Sequence, residues 1–366
     1  MARLGLRSSF VILGALVATA ASVNTMGCGS SDEETPTDGA AVGQVPARPA
    51  DAPAANGQGT AFAVSRLYLG DTDRDGGADP NAWRSIGYNL DGLVTGGDAS
   101  GHCQPVLDAA PQQVFRDGID GIDNSFGNNL VGIISEIIPG GGLSAQASDA
   151  ILEGDFTVIA NLTNLDSAPN STGVASTLLV GAPNMGTVDL TTPGATTWPF
   201  YTDSAGEPLS VSFSDGYVNN NTFASGSPQT INLAVSVGGF DLELTIASAV
   251  ITMDLDAERG LATNGIIAGV LEVEPLLTEL EKIAGSLSTM FCDPESATVQ
   301  QIFDQVRRQA DIMADGTQDP NATCNAISVG IGFDATAINV GEGVAAPTDS
   351  ADPCAEDGGE GGGNES

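Results

Sequence analysis

Apolar residues along this chain recur with two periods, and each period marks a different element. Alternating or continuous runs of Val, Ile, Leu and Phe, bounded by Gly, Pro or Asn, predict strands. They cover 60–69, 155–162, 174–180, 209–213, 231–237, 240–246, 249–255, 327–333 and 335–340. Gly238-Gly239 separates two of these runs and predicts a tight hairpin, because glycine tolerates the positive φ of such turns. Apolar spacings of three and four predict helices over 129–138, 274–287 and 297–313; in the last, Val299, Ile302, Phe303, Val306 and Ile312 share a face. The pattern implies a mainly β (α+β) fold, an antiparallel β-sandwich with flanking helices.

The ends of the chain lack this periodicity. Arg3 and Arg7 precede an apolar stretch from Phe10 to Ala21, followed by Thr25-Met26-Gly27-Cys28. The stretch is shorter than the ~20 residues of a membrane-spanning helix, and its layout matches an export signal over residues 1–27. Its end resembles a bacterial lipobox, which makes Cys28 the expected lipid-bearing first residue of the processed chain. Residues 28–59, rich in Ala, Pro, Gly, Ser and acids, predict a disordered tether, and 342–366 predict an acidic, Gly-rich tail. Between them lie a loop region at 60–130 and the expected sandwich at 131–341. The expected location is the bacterial cell envelope, as an outer membrane lipoprotein held by its lipid anchor, or the extracellular space.

Charge narrows the choice of partners. The chain carries 47 acidic against 11 basic residues, a formal net charge of −36. Such a field repels phosphate backbones and attracts divalent cations, so nucleic acid is excluded as a partner. A nucleotide site of the P-loop kind is also excluded, since Lys282, the sole lysine, follows no glycine-rich loop. With Cys28 lipidated, Cys103, Cys292, Cys324 and Cys354 remain, an even set suited to two disulfides in an oxidising compartment. Of the three pairings, Cys292–Cys324 is expected because it brackets one helical segment. Cys103–Cys354 would then tie the C-terminal end back to the loop region.

The acids are not spread evenly. In Asp71-Thr72-Asp73-Arg74-Asp75-Gly76-Gly77-Ala78-Asp79, carboxylates fall at the first, third, fifth and ninth places of a calcium loop and glycine at the sixth. A second segment, Gly87–Asp98, puts Asn89, Asp91, Gly92, Thr95 and Asp98 at the third, fifth, sixth, ninth and twelfth places. Each loop is incomplete: the first has Ala82 at its twelfth place, and the second has Gly87 at its first. Either the two loops fold against each other, or a third cluster, Asp117, Asp120 and Asp123, with carboxylates three residues apart, supplies the missing oxygens. Ca2+ is therefore the expected cofactor, held by Asp71, Asp73, Asp75, Asp79, Asn89, Asp91, Asp98, Asp117, Asp120 and Asp123.

Both loops resemble those of the EF-hand, dockerin and thrombospondin type 3 families, over this short stretch alone. The run from Asp71 through Cys103 to Asn124, together with Cys324-Asn325-Ala326-Ile327-Ser328-Val329-Gly330-Ile331-Gly332-Phe333, is similar to surface lipoproteins of myxobacteria-like Gram-negative bacteria. That resemblance implies export and a cell-surface setting, and implies no activity.

Catalytic constellations are sparse. His102, the sole histidine, lies beside Cys103, and no Gly-x-Ser-x-Gly elbow is present. The leading expectation is a non-enzymatic, lipid-anchored, calcium-stabilised surface protein that binds a surface polysaccharide or protein, or serves as structure. The alternative is a secreted calcium-dependent carbohydrate-active enzyme or sugar-binding module, for which Trp198-Pro199-Phe200-Tyr201 is the candidate stacking platform.

Overall fold

The computed structural model describes residues 43–95, 100–138, 142–237, 240–287, 292–293, 296–347 and 354. The expected signal, Cys28, Asp98 and most of the acidic tail lie outside the described residues, and the start of that tail, 342–345, belongs to a strand. The strands are β1 (Thr60–Tyr68), β2 (Thr157–Thr163), β3 (Ser171–Gly181), β4 (Thr197–Thr202), β5 (Ser210–Asn219), β6 (Thr222–Ala224), β7 (Gln229–Val237), β8 (Phe240–Leu255), β9 (Leu261–Glu272) and β10 (Ala326–Ala345). The α-helices are α1 (Pro111–Val114), α2 (Val131–Ile137), α3 (Leu143–Glu153), α4 (Val273–Leu287) and α5 (Ala297–Arg307).

The mainly β content with added helices agrees with the sequence pattern, whereas the expected two-layer sandwich does not describe the pairings. All ten strands belong to one sheet. It is mixed, because β4 runs parallel to the last third of β10. Antiparallel ladders link β1 to β2, β2 to β3, β3 to β5, β5 to β6, β6 to β8, β8 to β9, β9 to β10 and β10 back to β1. Those eight strands close into a ring, which leaves none of them as a bare edge.

Two long strands allow this closure. The runs 240–246 and 249–255 are one strand, β8, bulged between Ala247 and Val250 where Ser248 adopts a φ of 53°. The runs 327–333 and 335–340 are likewise one strand, β10, bulged between Phe333 and Ala335. A bulge bends a strand and raises its twist, so both strands serve different neighbours at their two ends. β8 pairs with β7 over its first half, and Val237 faces Phe240 as the hairpin reading requires. Gly238 and Gly239 themselves lie outside the described residues.

From Ala326 to Ile338, β10 is buried on both faces. Ile327, Val329, Ile331 and Phe333 join the main apolar cluster with Phe62, Leu67 and Ile267. Ser328, Gly330 and Gly332 alternate with them and so point the other way. A Cβ on Gly330 would come within 2.3 Å of the Ile86 carbonyl, because the acidic loop region lies directly on this face. β1 is thus integral to the same fold, and residues 60–130 do not form a separate unit. The expected tether is also shorter than its composition suggests. Gly43 to Gly59 is bonded to the sheet region, for example through Thr172 N to the Pro53 carbonyl (2.9 Å) and Ala55 N to the Thr172 carbonyl (2.7 Å).

Replacing Gly330 by Ala should therefore lower stability by about 1–3 kcal/mol or more, because backbone on the opposite side cannot give way. Gly132 in α2 has nothing within 4 Å of a Cβ, and Gly132→Ala should be neutral or stabilise by up to about 1 kcal/mol. Denaturant melts of both variants check the pair. Equal, small effects would remove the close-approach explanation for Gly330.

Candidate functional site: the acidic loop region

The first loop, Asp71–Asp79, folds back on itself as a small hairpin. Asp73 N donates to the Gly77 carbonyl (2.8 Å) and Asp79 N to the Asp71 carbonyl (3.0 Å), while Gly76 takes a φ of 86°. Its carboxylates are engaged locally. Asp73 Oδ1 accepts from Asp75 N (3.0 Å) and Gly77 N (2.7 Å), and Asp79 Oδ1 accepts from Asn81 N (2.8 Å). Asp71 accepts from the Ser144 hydroxyl and amide at the start of α3, and Asp75 is exposed.

Arg74, between these acids, points the other way. Its guanidinium donates to the carbonyls of Phe333 (3.1 Å) and Gly265 (3.0 Å), which face each other across the β9–β10 ladder beside the bulge. It lies 4.8 Å from the Tyr68 ring centroid and 3.8 Å from Asp334. Gly332 leaves the room, since a Cβ there would meet the guanidinium at 3.1 Å. The Tyr68 hydroxyl bonds to Asp334 (2.7 Å), and burial followed by that carboxylate pushes its pKa up to about 12. A bulge frees ladder carbonyls, and a cation buried against them satisfies both.

The second loop and the third cluster come together. Asn89 Oδ1 accepts from Gly92 N (2.7 Å) and Asp91 Oδ1 from Leu93 N (2.7 Å). Asp123 Oδ2 accepts from Leu90 N (2.7 Å) and Asp91 N (3.3 Å), and Asp117 Oδ2 accepts from Thr95 N (2.5 Å). Burial, then the charge of Asp91, lifts Asp123 well above the usual carboxylate range. Burial lifts Asp117 to about 6, with Asp91 again adding to the rise. Asp120, exposed at a φ of 55°, takes part in none of these bonds.

Three partners were not legible beforehand. Gln318 donates to Asp91 Oδ2 (2.8 Å) and accepts from Cys103 N (2.9 Å). Asp311 is buried, accepts from Ser328 N (2.7 Å) and Oγ (2.6 Å), and is pushed up to about 7 by burial. Asn124 clamps Gly330 through both sides of its amide, donating to the Gly330 carbonyl (3.0 Å) and accepting from Gly330 N (3.0 Å). His102 is 95% buried against Phe115, with Nε2 2.8 Å from Thr95 Oγ1 and 3.9 Å from Asp91 Oδ2.

The disulfides pair differently from expectation. They are Cys103–Cys324 and Cys292–Cys354, with Cα separations of 5.1 and 5.0 Å. The reason is main-chain pairing: Gln104 N donates to the Ala322 carbonyl (2.7 Å) and Cys324 N to the Gln104 carbonyl (3.0 Å), which sets Cys324 beside Cys103. The helical segment that Cys292 and Cys324 bracket leads away from Cys292 to this seam. Two disulfides place the folded chain in an oxidising, extracytoplasmic compartment. No described helix is long and apolar enough to cross a membrane.

The expected ligands are therefore divided. Asp91, Asp117, Asp123 and Asp311 lie near enough to act on one another by charge, while the first loop is engaged with Ser144 and with its own amides. Among the described residues, no three His, Cys, Asp or Glu side chains are arranged so that they could hold a metal ion. No family model, curated protein or solved structure matches this chain.

Peptide mapping without reduction should recover Cys103 joined to Cys324. Replacing both by Ser should cost roughly 2–5 kcal/mol, since the bond closes a very long loop. Recovery of Cys292–Cys324 instead would reject the seam described here.

Proposed function

We propose that this is an exported, lipid-anchored protein of the bacterial cell surface, with a binding or structural role, whose acidic loop region is stabilised by calcium. The observation that carries the reading is the seam at Cys103–Cys324, where Gln318 links the Cys103 amide to Asp91, one of a set of mutually interacting carboxylates. Export supplies the oxidant for that bond, and extracellular calcium supplies a charge that the cluster lacks. Asp91, Asp117 and Asp123 do not surround a common point as they stand, so a hard cation there would have to draw them together, and the repulsion of clustered carboxylates is what it would relieve. The first loop offers a cation less, since Asp71 is turned away to Ser144 and Asp73 and Asp79 to amides of their own loop, whereas Asp117 and Asp123 are close enough to act on each other by charge.

Burial of both tryptophans weighs against the sugar-processing alternative. Trp83 and Trp198 are 2% and 0% exposed, and Trp198 Nε1 donates to the Ala182 carbonyl (2.8 Å). Trp198-Pro199-Phe200-Tyr201 lies within β4, with Trp198 buried and the other three half-buried, so no tryptophan face is offered to a sugar.

Calorimetric titration in the millimolar range tests the cation, because extracellular calcium modules bind at roughly 10⁻⁴ to 10⁻³ M. Saturation at ~100 times the dissociation constant should add about 2.7 kcal/mol of stability. Asp117→Asn with Asp123→Asn should remove that gain, while Asp73→Ala with Asp75→Ala should leave most of it. Heat and melting curves that ignore calcium would end the cofactor reading.

Anchoring has its own test. Cys28→Ala should abolish acyl labelling and release the chain from membranes. Persistent labelling of that variant would place the lipid on another residue and reject Cys28 as the anchor.

A further inference from the structure

The segment ahead of β1 crosses β5 and β3 as a strap, and its contacts have the form of peptide recognition. Tyr217 of β5 donates its hydroxyl to the Pro46 carbonyl (2.5 Å), and Asn219 Nδ2 donates to the Ala47 carbonyl (2.8 Å). Arg48 follows. Its guanidinium lies 4.5 Å from the Tyr217 ring centroid, pairs with the Asp215 carboxylate (3.3 Å) and bonds to the Asp215 carbonyl. Two consecutive carbonyls are thus read by fixed donors, and the next side chain by a carboxylate and an aromatic face.

The rest of the strap is held through its backbone. Thr172 exchanges hydrogen bonds with Pro53 and Ala55, and Gly57 N donates to the Asn164 carbonyl (2.9 Å). Pro46, Pro49 and Pro53 restrict the segment to extended conformations, so little chain entropy is lost when it docks. Among the described residues, Arg48 supplies the strap's one ion pair. Its side chain and that of Asp215 are 42% and 43% exposed, so the ion pair is solvated and weak. A cation over an aromatic ring at an exposed site adds a contribution of similar modest size.

We propose that Gly43–Asn56 is a releasable strap latched by Arg48, and that Asp215, Tyr217 and Asn219 form a docking site for an extended, arginine-bearing peptide which the strap occupies in cis. The ring and carboxylate select a guanidinium, while Tyr217 and Asn219 select only main chain, so any extended segment with arginine in that place satisfies the site. Release would also lengthen the chain between the sheet and residue 43 by about 45 Å, at ~3.3 Å per residue. The inference depends neither on calcium nor on the lipid.

The test compares the full chain with its Arg48→Ala variant. Hydrogen exchange at the Ala55 and Gly57 amides should quicken by about fivefold or more, the factor expected for losing a contact of this strength. Amides of the β1–β10 ladder should not change. A fluorescent peptide with the sequence of residues 43–58 should then bind the Arg48→Ala protein more tightly than the parent, by up to the same factor of about five, because the open fraction sets its apparent affinity. It should lose that binding when its own arginine is replaced, or when Asp215→Asn is added to the protein. Tyr217→Phe keeps the ring and deletes one carbonyl bond, and should also quicken strap exchange. Unchanged exchange in Arg48→Ala overturns the latch, and peptide binding indifferent to arginine and to Asp215 overturns the docking site.

Discussion

The bare face of β10 is the constraint on which the rest of the molecule depends. Ser328, Gly330 and Gly332 present almost no side chain, so the loop region approaches the strand backbone to backbone. Such contact is tolerable in a buried place only if every polar group finds a partner. Asn124 pairs with Gly330 in both directions, Asp311 takes the amide and hydroxyl of Ser328, and Arg74 takes the carbonyls beside the bulge. One larger residue on this face would separate the layers and strand all three.

That arrangement puts carboxylates where water is scarce. Asp123 and Asp311 are raised mainly by their own burial, and their hydrogen bonds to amides and hydroxyls offset only part of it. The unfavourable charge is concentrated at the seam that Cys103–Cys324 closes, with a sequence separation of 221. A covalent link of that span constrains the unfolded chain most, which is where a region with weak intrinsic stability benefits from it.

Much of this fold was legible in the alternation of apolar residues. β1, β2, β3, β7 and α4 lie close to where the pattern places them, because each buries one regular face. β9 was missed for its Gly265 and Gly269, which read as turn signals yet sit in a strand; the Phe333 ring covers the first and β8 crowds the second. α3 was missed because Ser144 and Ser148 interrupt its apolar face, and they do so to bond the Leu69 and Leu67 amides at the end of β1. The acidic spacings located the loop region, but spacing does not reveal direction. Asp73, Asp79 and Asn89 turn their oxygens to nearby amides, a use that short polar side chains in turns share with metal ligation. Arg74 and Gln318 gave no signal at all, since their role exists only once distant strands are paired.

The placement of the aromatic residues limits what the surface can recognise. Both tryptophans are spent in the core, and Tyr68, Tyr88 and Tyr217 are largely buried with their hydroxyls bonded within the chain. The best-defined contact between a surface segment and the sheet is instead the strap, read through carbonyl oxygens, one guanidinium and one ring face. A chain of this net charge favours cationic partners at long range, and at Asp215 and Tyr217 it meets a cationic side chain with fixed geometry. Long-range field and local contact therefore favour the same chemistry, which links the composition of the chain to a place where its sheet holds an extended, arginine-bearing segment of the same chain.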